Sequence, residues 1–169
     1  SLFDGFETKY EVERQKARVT SAANRVRETA ELVGLSVVEA YLEVLRQRQL
    51  LVIARENVQD HMSILDQIAE GVDAGRSTQA DNEQANARLA AAKAGEASIR
   101  EALRVAGANY RREVGDEAGQ LQLPEIPYGQ LSPNVDTEVQ KALSYSPTLQ
   151  IFAADIEVAY AEAQQTKST

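Results

Sequence analysis

The chain has 169 residues, of which 43% are apolar but only 5% aromatic, with no Trp. That content suits one folded domain built from closely packed helices better than a thick globular core. A formal charge of −8, with Lys and Arg dispersed among Glu and Asp, argues against nucleic acid as a partner, and the absence of Cys excludes disulfides, thiolate metal sites and Cys nucleophiles.

From Glu7 up to Gly71 the sequence carries no proline and one glycine, Gly34. A single long helix over 1–72 is predicted, roughly 100 Å at 1.5 Å per residue. Val37, Val44, Leu51, Val58, Leu65 and Val72 fall on a strict seven-residue repeat. Tyr41, Met62 and Ala69 hold the complementary positions, interrupted by Arg48 and Arg55. This is a coiled-coil-like seam. Val12, Val19 and Val26 continue the seven-residue spacing toward the N-terminus, among many charges.

The break comes at "EGVDAGRSTQAD", Glu70 to Asp81. Glycine takes the left-handed geometry that ends a helix, so a tip turn is expected over 73–77. Ser77 or Thr78 can cap the next helix, with Asp81 favourable to the dipole of its first turn. The short connection predicts antiparallel neighbours. A return helix over 78–114 follows, with Ala85, Leu89, Ala92, Ile99, Leu103, Ala106 and Tyr110 on its seam and Glu96 interrupting it. Its small residues allow helix axes to approach closely.

Gly115 and Gly119 end that helix. The stretch "QLQLPEIPYGQLSPN" places three prolines in an extended connector over 115–135. A short helix over 136–146 comes next. Pro147 then suits the first turn of a last helix over 147–169, with Ile151, Ala154, Val158 and Ala161 on its apolar face. The fold class is therefore all-α: an elongated antiparallel coiled-coil-like hairpin, one very long helix against shorter helices stacked end to end, with a proline-rich connector. The abrupt ends, "SLFDGF" and "QQTKST", read as those of a piece of something longer. No signal-peptide pattern and no apolar run long enough to span a bilayer as a helix is present.

Nothing in this pattern suggests an enzyme. His61 is the only histidine and lies beside the seam as a flank residue. The like-charge pairs Glu7/Glu11, Glu39/Glu43 and Asp66/Glu70 have no His to complete a metal cluster, and no glycine-rich phosphate loop follows a strand. No catalytic residue, metal or cofactor is expected. The tip is compatible with a plain connector and equally with a recognition surface held on a rigid scaffold.

Four stretches together resemble the TolC-like outer-membrane channel family of efflux and type I secretion proteins. "LFDGF" at Leu2–Phe6 is similar to the segment by which those chains leave a barrel strand and enter a long periplasmic helix. "AGRSTQAD" at Ala74–Asp81 resembles the family's tip motif. "YRREVG" followed by "LQLPEIP" resembles its equatorial helix end and connector, and "ALSYSPTLQIFAADIEVAYAEA" its repeat opener. Two departures stand out: Ser146 replaces the commoner Asn before Pro147, and Arg76 stands where efflux members often have Leu. The resemblance covers essentially the whole chain.

It implies the central, periplasmic tunnel segment of an outer-membrane export channel in a Gram-negative envelope. The complete protein would be a homotrimer whose barrel strands lie outside this segment. The tip would dock a periplasmic adaptor (membrane-fusion) protein through Gly75, Arg76, Ser77, Thr78 and Asp81, and through it an inner-membrane ABC transporter or other pump. Asp81 would either hold the turn or meet a basic adaptor residue. The stretches Val38–Ile68 and Gly75–Ala92 are more similar to type I secretion members than to multidrug-efflux members, which implies protein export, with small-molecule efflux as the alternative. A soluble coiled-coil scaffold is the rival of a different class. It would need neither "LFDGF" at a helix start nor a proline-rich elbow.

Overall fold

The computed structural model describes residues 4–130 and 132–168, with side chains over 9–130 and 132–164. Leu2 and Phe3 of the expected entry motif lie outside the described residues, as do the side chains of Asp4 to Phe6. Four α-helices carry the chain: α1 (Asp4–Asp73), α2 (Gln79–Val114), α3 (Val135–Tyr145) and α4 (Pro147–Ser168), with a single 3-10 turn at Tyr128–Gln130. No strand occurs among the described residues. The all-α hairpin expected from sequence is the architecture found. Contacts divide the chain into two compact units, Leu35–Pro124 and Ser1–Gly34 with Glu125–Thr169.

The first of these holds the hairpin. α1 and α2 run antiparallel: Tyr41 meets Tyr110 with ring centroids 6.4 Å apart, and Arg55 meets Glu96 at 3.6 Å. Advancing fourteen residues on α1 thus retreats fourteen on α2. Val44, Leu51 and Val58 are buried on α1, as are Ala85, Leu89 and Ala106 on α2, and Val44 is only 1% exposed. The alanines on α2 leave room for the larger α1 side chains at a close helix separation. Burying one such leucine contributes about 1.5–3 kcal/mol, against about 0–1 kcal/mol for a surface ion pair, so the apolar seam dominates this unit.

The second register of that seam differs from expectation. Met62 is 41% exposed and Ala69 is also exposed, while Ala40 and Gln47 are buried and Ala54, His61 and Ile68 half-buried. The inner face therefore alternates with the residues one position earlier than Tyr41, Met62 and Ala69. Arg48 and Arg55 account for the shift. Each reaches past the seam to a polar partner, Arg48 to the carbonyls of Ala118 and Gly119 and Arg55 to Glu96. Small Ala40 and Ala54 then let the backbones approach. Glu96, the interruption on α2, is paired with Arg55 and Arg100.

In the other unit α4 lies antiparallel on the N-terminal part of α1, and here the α1 face is polar. Thr148 donates to Glu28, Arg27 reaches Gln150 at 3.2 Å, Ser21 donates to Asp155 at 2.6 Å, Arg25 pairs with Asp155 at 3.0 Å, and Arg18 with Glu162 at 3.1 Å. Ser21 and Asn24 are buried, as are Ile151, Ala154 and Ala161 on α4, with Val158 half-buried. The seven-residue series Val12, Val19, Val26 is not the seam; these side chains are 47%, 68% and 70% exposed. Ser21 stands two residues from Val19, about 200° around the helix, so the covered and uncovered faces are opposite. The covered face is marked by α4, whose Asp155 and Glu162 face α1. Both carboxylates also reach water, so a valine face would cost them only their direct partners, which Ser21, Arg25 and Arg18 supply.

α3 starts at Val135, one residue before the expected position. Asn134 caps it by accepting from the Asp136 N–H at 2.9 Å. Glu138 accepts from Lys141 and from the Ser132 N–H, each at 2.8 Å, which hold its carboxyl below the ordinary glutamate range, Lys141 first.

Leu51→Asp should lower the urea midpoint strongly, by more than the about 2–5 kcal/mol usual for truncating a buried leucine, because it also buries a charge. Val26→Asp, on the uncovered face, should change stability by less than about 0.5 kcal/mol. Urea titration followed by circular dichroism checks both, and equal losses would contradict the assignment of faces.

Candidate functional site

The tip is built by two glycines with different jobs. Gly75 has φ +69°, a left-handed conformation that costs any side-chain-bearing residue about 1–2 kcal/mol. Its N–H donates to the Val72 carbonyl at 3.0 Å and the Arg76 N–H to the Gly71 carbonyl at 2.7 Å. These two bonds form a Schellman motif, which closes the orphan carbonyls at the end of α1. The Gly71 carbonyl also accepts from the Ser77 N–H at 3.0 Å.

Gly71 is helical, and a Cβ there would lie 2.5 Å from Ser77 Oγ. The close intramolecular approach in the tip is thus at Gly71, a residue not among the site residues expected from sequence. Nothing lies within 4 Å of a Cβ at Gly75. The signal for Gly71 was present in the four-residue glycine spacing, but only the fold shows that Ser77 turns back onto it.

Thr78 caps α2 and Asp81 completes the box. The Thr78 N–H and hydroxyl donate to Asp81 Oδ2 at 2.9 and 2.7 Å, while the Asp81 N–H donates to Thr78 Oγ1 at 3.2 Å. The hydroxyl, then the N–H, of Thr78 hold the Asp81 carboxyl below the ordinary aspartate range. Of the two roles open to Asp81, holding the turn is the one its contacts perform. Arg76 differs from its neighbours: it is exposed, and its guanidinium makes no hydrogen bond or ion pair among the described residues. The tip presents one unengaged cation on a rigid, doubly capped turn. Gly75, Arg76, Ser77, Thr78 and Asp81 are all brought together there.

A second polar cluster escaped the sequence reading. Tyr41 Oη donates to the Gln122 carbonyl at 2.6 Å and accepts from the Gln122 N–H at 3.0 Å. One heptad along, Arg48 donates to the carbonyls of Ala118 and Gly119 at 2.6 and 2.8 Å. Two α1 side chains thereby satisfy the backbone of a segment that has no ladder of its own. Among the described residues no group of three or more metal-ligating side chains is present. No helix among them is long and apolar enough to cross a membrane. No protein-family model, curated protein or solved structure matches the chain.

The lowered pKa of Asp81 fixes the sign of a pH effect. Its cap stabilises fully above the unfolded aspartate pKa of about 4 and is lost as pH falls through the depressed folded value. Asp81→Ala should therefore melt below the parent at pH 7, with the gap closing as pH drops below about 4. A gap that stays constant down to about pH 2 would contradict the capping role.

Proposed function

We propose that this chain is a wall segment of a periplasmic export tunnel, part of a trimeric TolC-like outer-membrane channel. In this reading the Gly75–Asp81 tip docks a periplasmic adaptor, which links it to an inner-membrane ABC transporter or other pump, and an unfolded polypeptide is the cargo.

The observation that carries the reading is the second apolar stripe. On α1, opposite the face covered by α4, Val12, Val19 and Val26 are 47–70% exposed. On α4, opposite the face turned to α1, Leu149, Phe152, Ile156 and Tyr160 are 44–67% exposed. A helix in a closed side-by-side wall packs a neighbour on each flank, so an excised pair keeps one bare flank per helix. A self-sufficient two-helix scaffold carries polar residues there, because a helix with one neighbour needs one apolar stripe. The tight, doubly capped tip and the proline-containing connector fit the same reading. A net charge of −8 fits a hydrated duct without a pocket for its cargo.

In the complete protein, Val19→Asp together with Val26→Asp should abolish trimer assembly while leaving helix content intact, read by native gel and circular dichroism. A normal trimer would remove the stripe from the account. Gly75→Pro forces φ near −65° where +69° is required. It should stop export while the trimer forms, and unimpaired export would take the tip out of the docking role.

A further inference from the structure

One flank of the α1/α2 hairpin carries a cleft of about 570 Å3, lined wholly from within the Leu35–Pro124 unit. That volume falls inside the range of about 300–1,000 Å3 usual for small-molecule sites. Leu50, Ile53 and Ala54 of α1 and Ala91, Ala92 and Ile99 of α2 give it an apolar lining. Ile53 is 59% exposed, and Leu50 and Ile99 are half-buried, so the cleft opens to solvent along one side.

Two charged side chains reach the lining, and they differ. Glu96 is held by Arg100 at 2.5 Å and by Arg55 at 3.6 Å, so its charge is met within the hairpin. Arg88 is exposed and makes no hydrogen bond or ion pair among the described residues. The antiparallel register that pairs Arg55 with Glu96 sets Arg88 and His61 at the end of the cleft nearer the tip, with Leu50 and Ile99 at the other. From Arg88 to Ile99 the helix rises about 16 Å, room for a medium-length alkyl chain. The cleft is thus an apolar trough with an unengaged cation at one end.

Gly95 supplies a second observation. It lies midway along α2, where glycine weakens a helix relative to alanine. Its φ is not positive, and a Cβ built on it meets nothing within 4 Å, so neither backbone geometry nor the packing of α2 on α1 requires it. Gly95 does line the cleft, and a side chain there would take up space in the trough.

We propose that this cleft binds a single-chain anionic amphiphile, a fatty carboxylate whose alkyl chain lies along Leu50, Ile53, Ala91 and Ile99 and whose headgroup meets Arg88. Burial of the chain supplies the attraction. Arg88 selects the sign of the head, since a guanidinium donates two parallel hydrogen bonds to a carboxylate. The site belongs to the hairpin alone and holds whether or not the chain is a tunnel segment.

Titration of the isotope-labelled chain with decanoate, below the concentration at which it forms micelles, tests this by amide NMR. Shifts should saturate and be confined to the amides around Ile53, Ala91, Gly95 and Ile99. Decyltrimethylammonium has the same chain length and the opposite charge. It should bind at least about tenfold more weakly, although a chain of net charge −8 attracts cations in general. Arg88→Gln should weaken decanoate binding about tenfold and leave helix content unchanged. Gly95→Leu should abolish binding while the melting temperature holds or rises, because leucine is the better helix former and has open space there. Equal binding of the two amphiphiles, full decanoate affinity in either variant, or shifts centred on Val19 and Val26 instead of the cleft would overturn the proposal, as would the lack of any saturable shift.

Discussion

A helix of 70 residues has no interior of its own, so each apolar residue it carries needs a neighbour from elsewhere. α1 meets that constraint in two chemically different ways. Over Ala40–Val58 it presents valine, leucine and alanine to the alanine-rich face of α2. Over Arg14–Glu28 it presents serine, asparagine and arginine to the carboxylates and amide of α4. The apolar section supplies most of the burial, whereas the polar section fixes register, because each hydrogen bond across α1 and α4 has one geometry that satisfies it. The face left over is apolar and uncovered, and that surplus drives the functional reading.

The tip is over-determined in a way that suits a recognition element. A Schellman motif ends α1, a capping box starts α2, and Gly71 gives Ser77 the space to return. Each device closes backbone groups that would otherwise need water. With Thr78 and Asp81 engaged in the cap, Arg76 is left as the side chain with an unspent charge.

Much of the fold was legible in the sequence because helix punctuation is local. Gly75, Thr78, Gly115 and Pro147 act through backbone geometry within a turn or two, and the helix ends next to them fall within a residue or so of the expected positions. The seam on α2 was legible for a similar reason, since Ala85, Leu89 and Ala106 recur at helical spacing. What sequence periodicity could not settle is which of two stripes a neighbour covers. Val12, Val19 and Val26 form as regular a series as Val44, Leu51 and Val58, yet only the second is buried. The partners that mark the covered face, Asp155 and Glu162 on α4, stand more than a hundred residues away in sequence. The same distance hid the contacts of Tyr41 and Arg48 with residues 118–122 and the return of Ser77 onto Gly71. Of the tip, the turn and the cap were legible, and the contacts that divide the work among its residues were not.

The central claim is that the uncovered stripes are wall-to-wall contacts in a trimeric outer-membrane channel. The most direct test is fractionation of the complete protein from Gram-negative cells, followed by sedimentation of the detergent-extracted material. The account predicts a trimer that travels with the outer membrane. A monomer or dimer in the soluble fraction would contradict it and return the chain to the class of coiled-coil scaffolds.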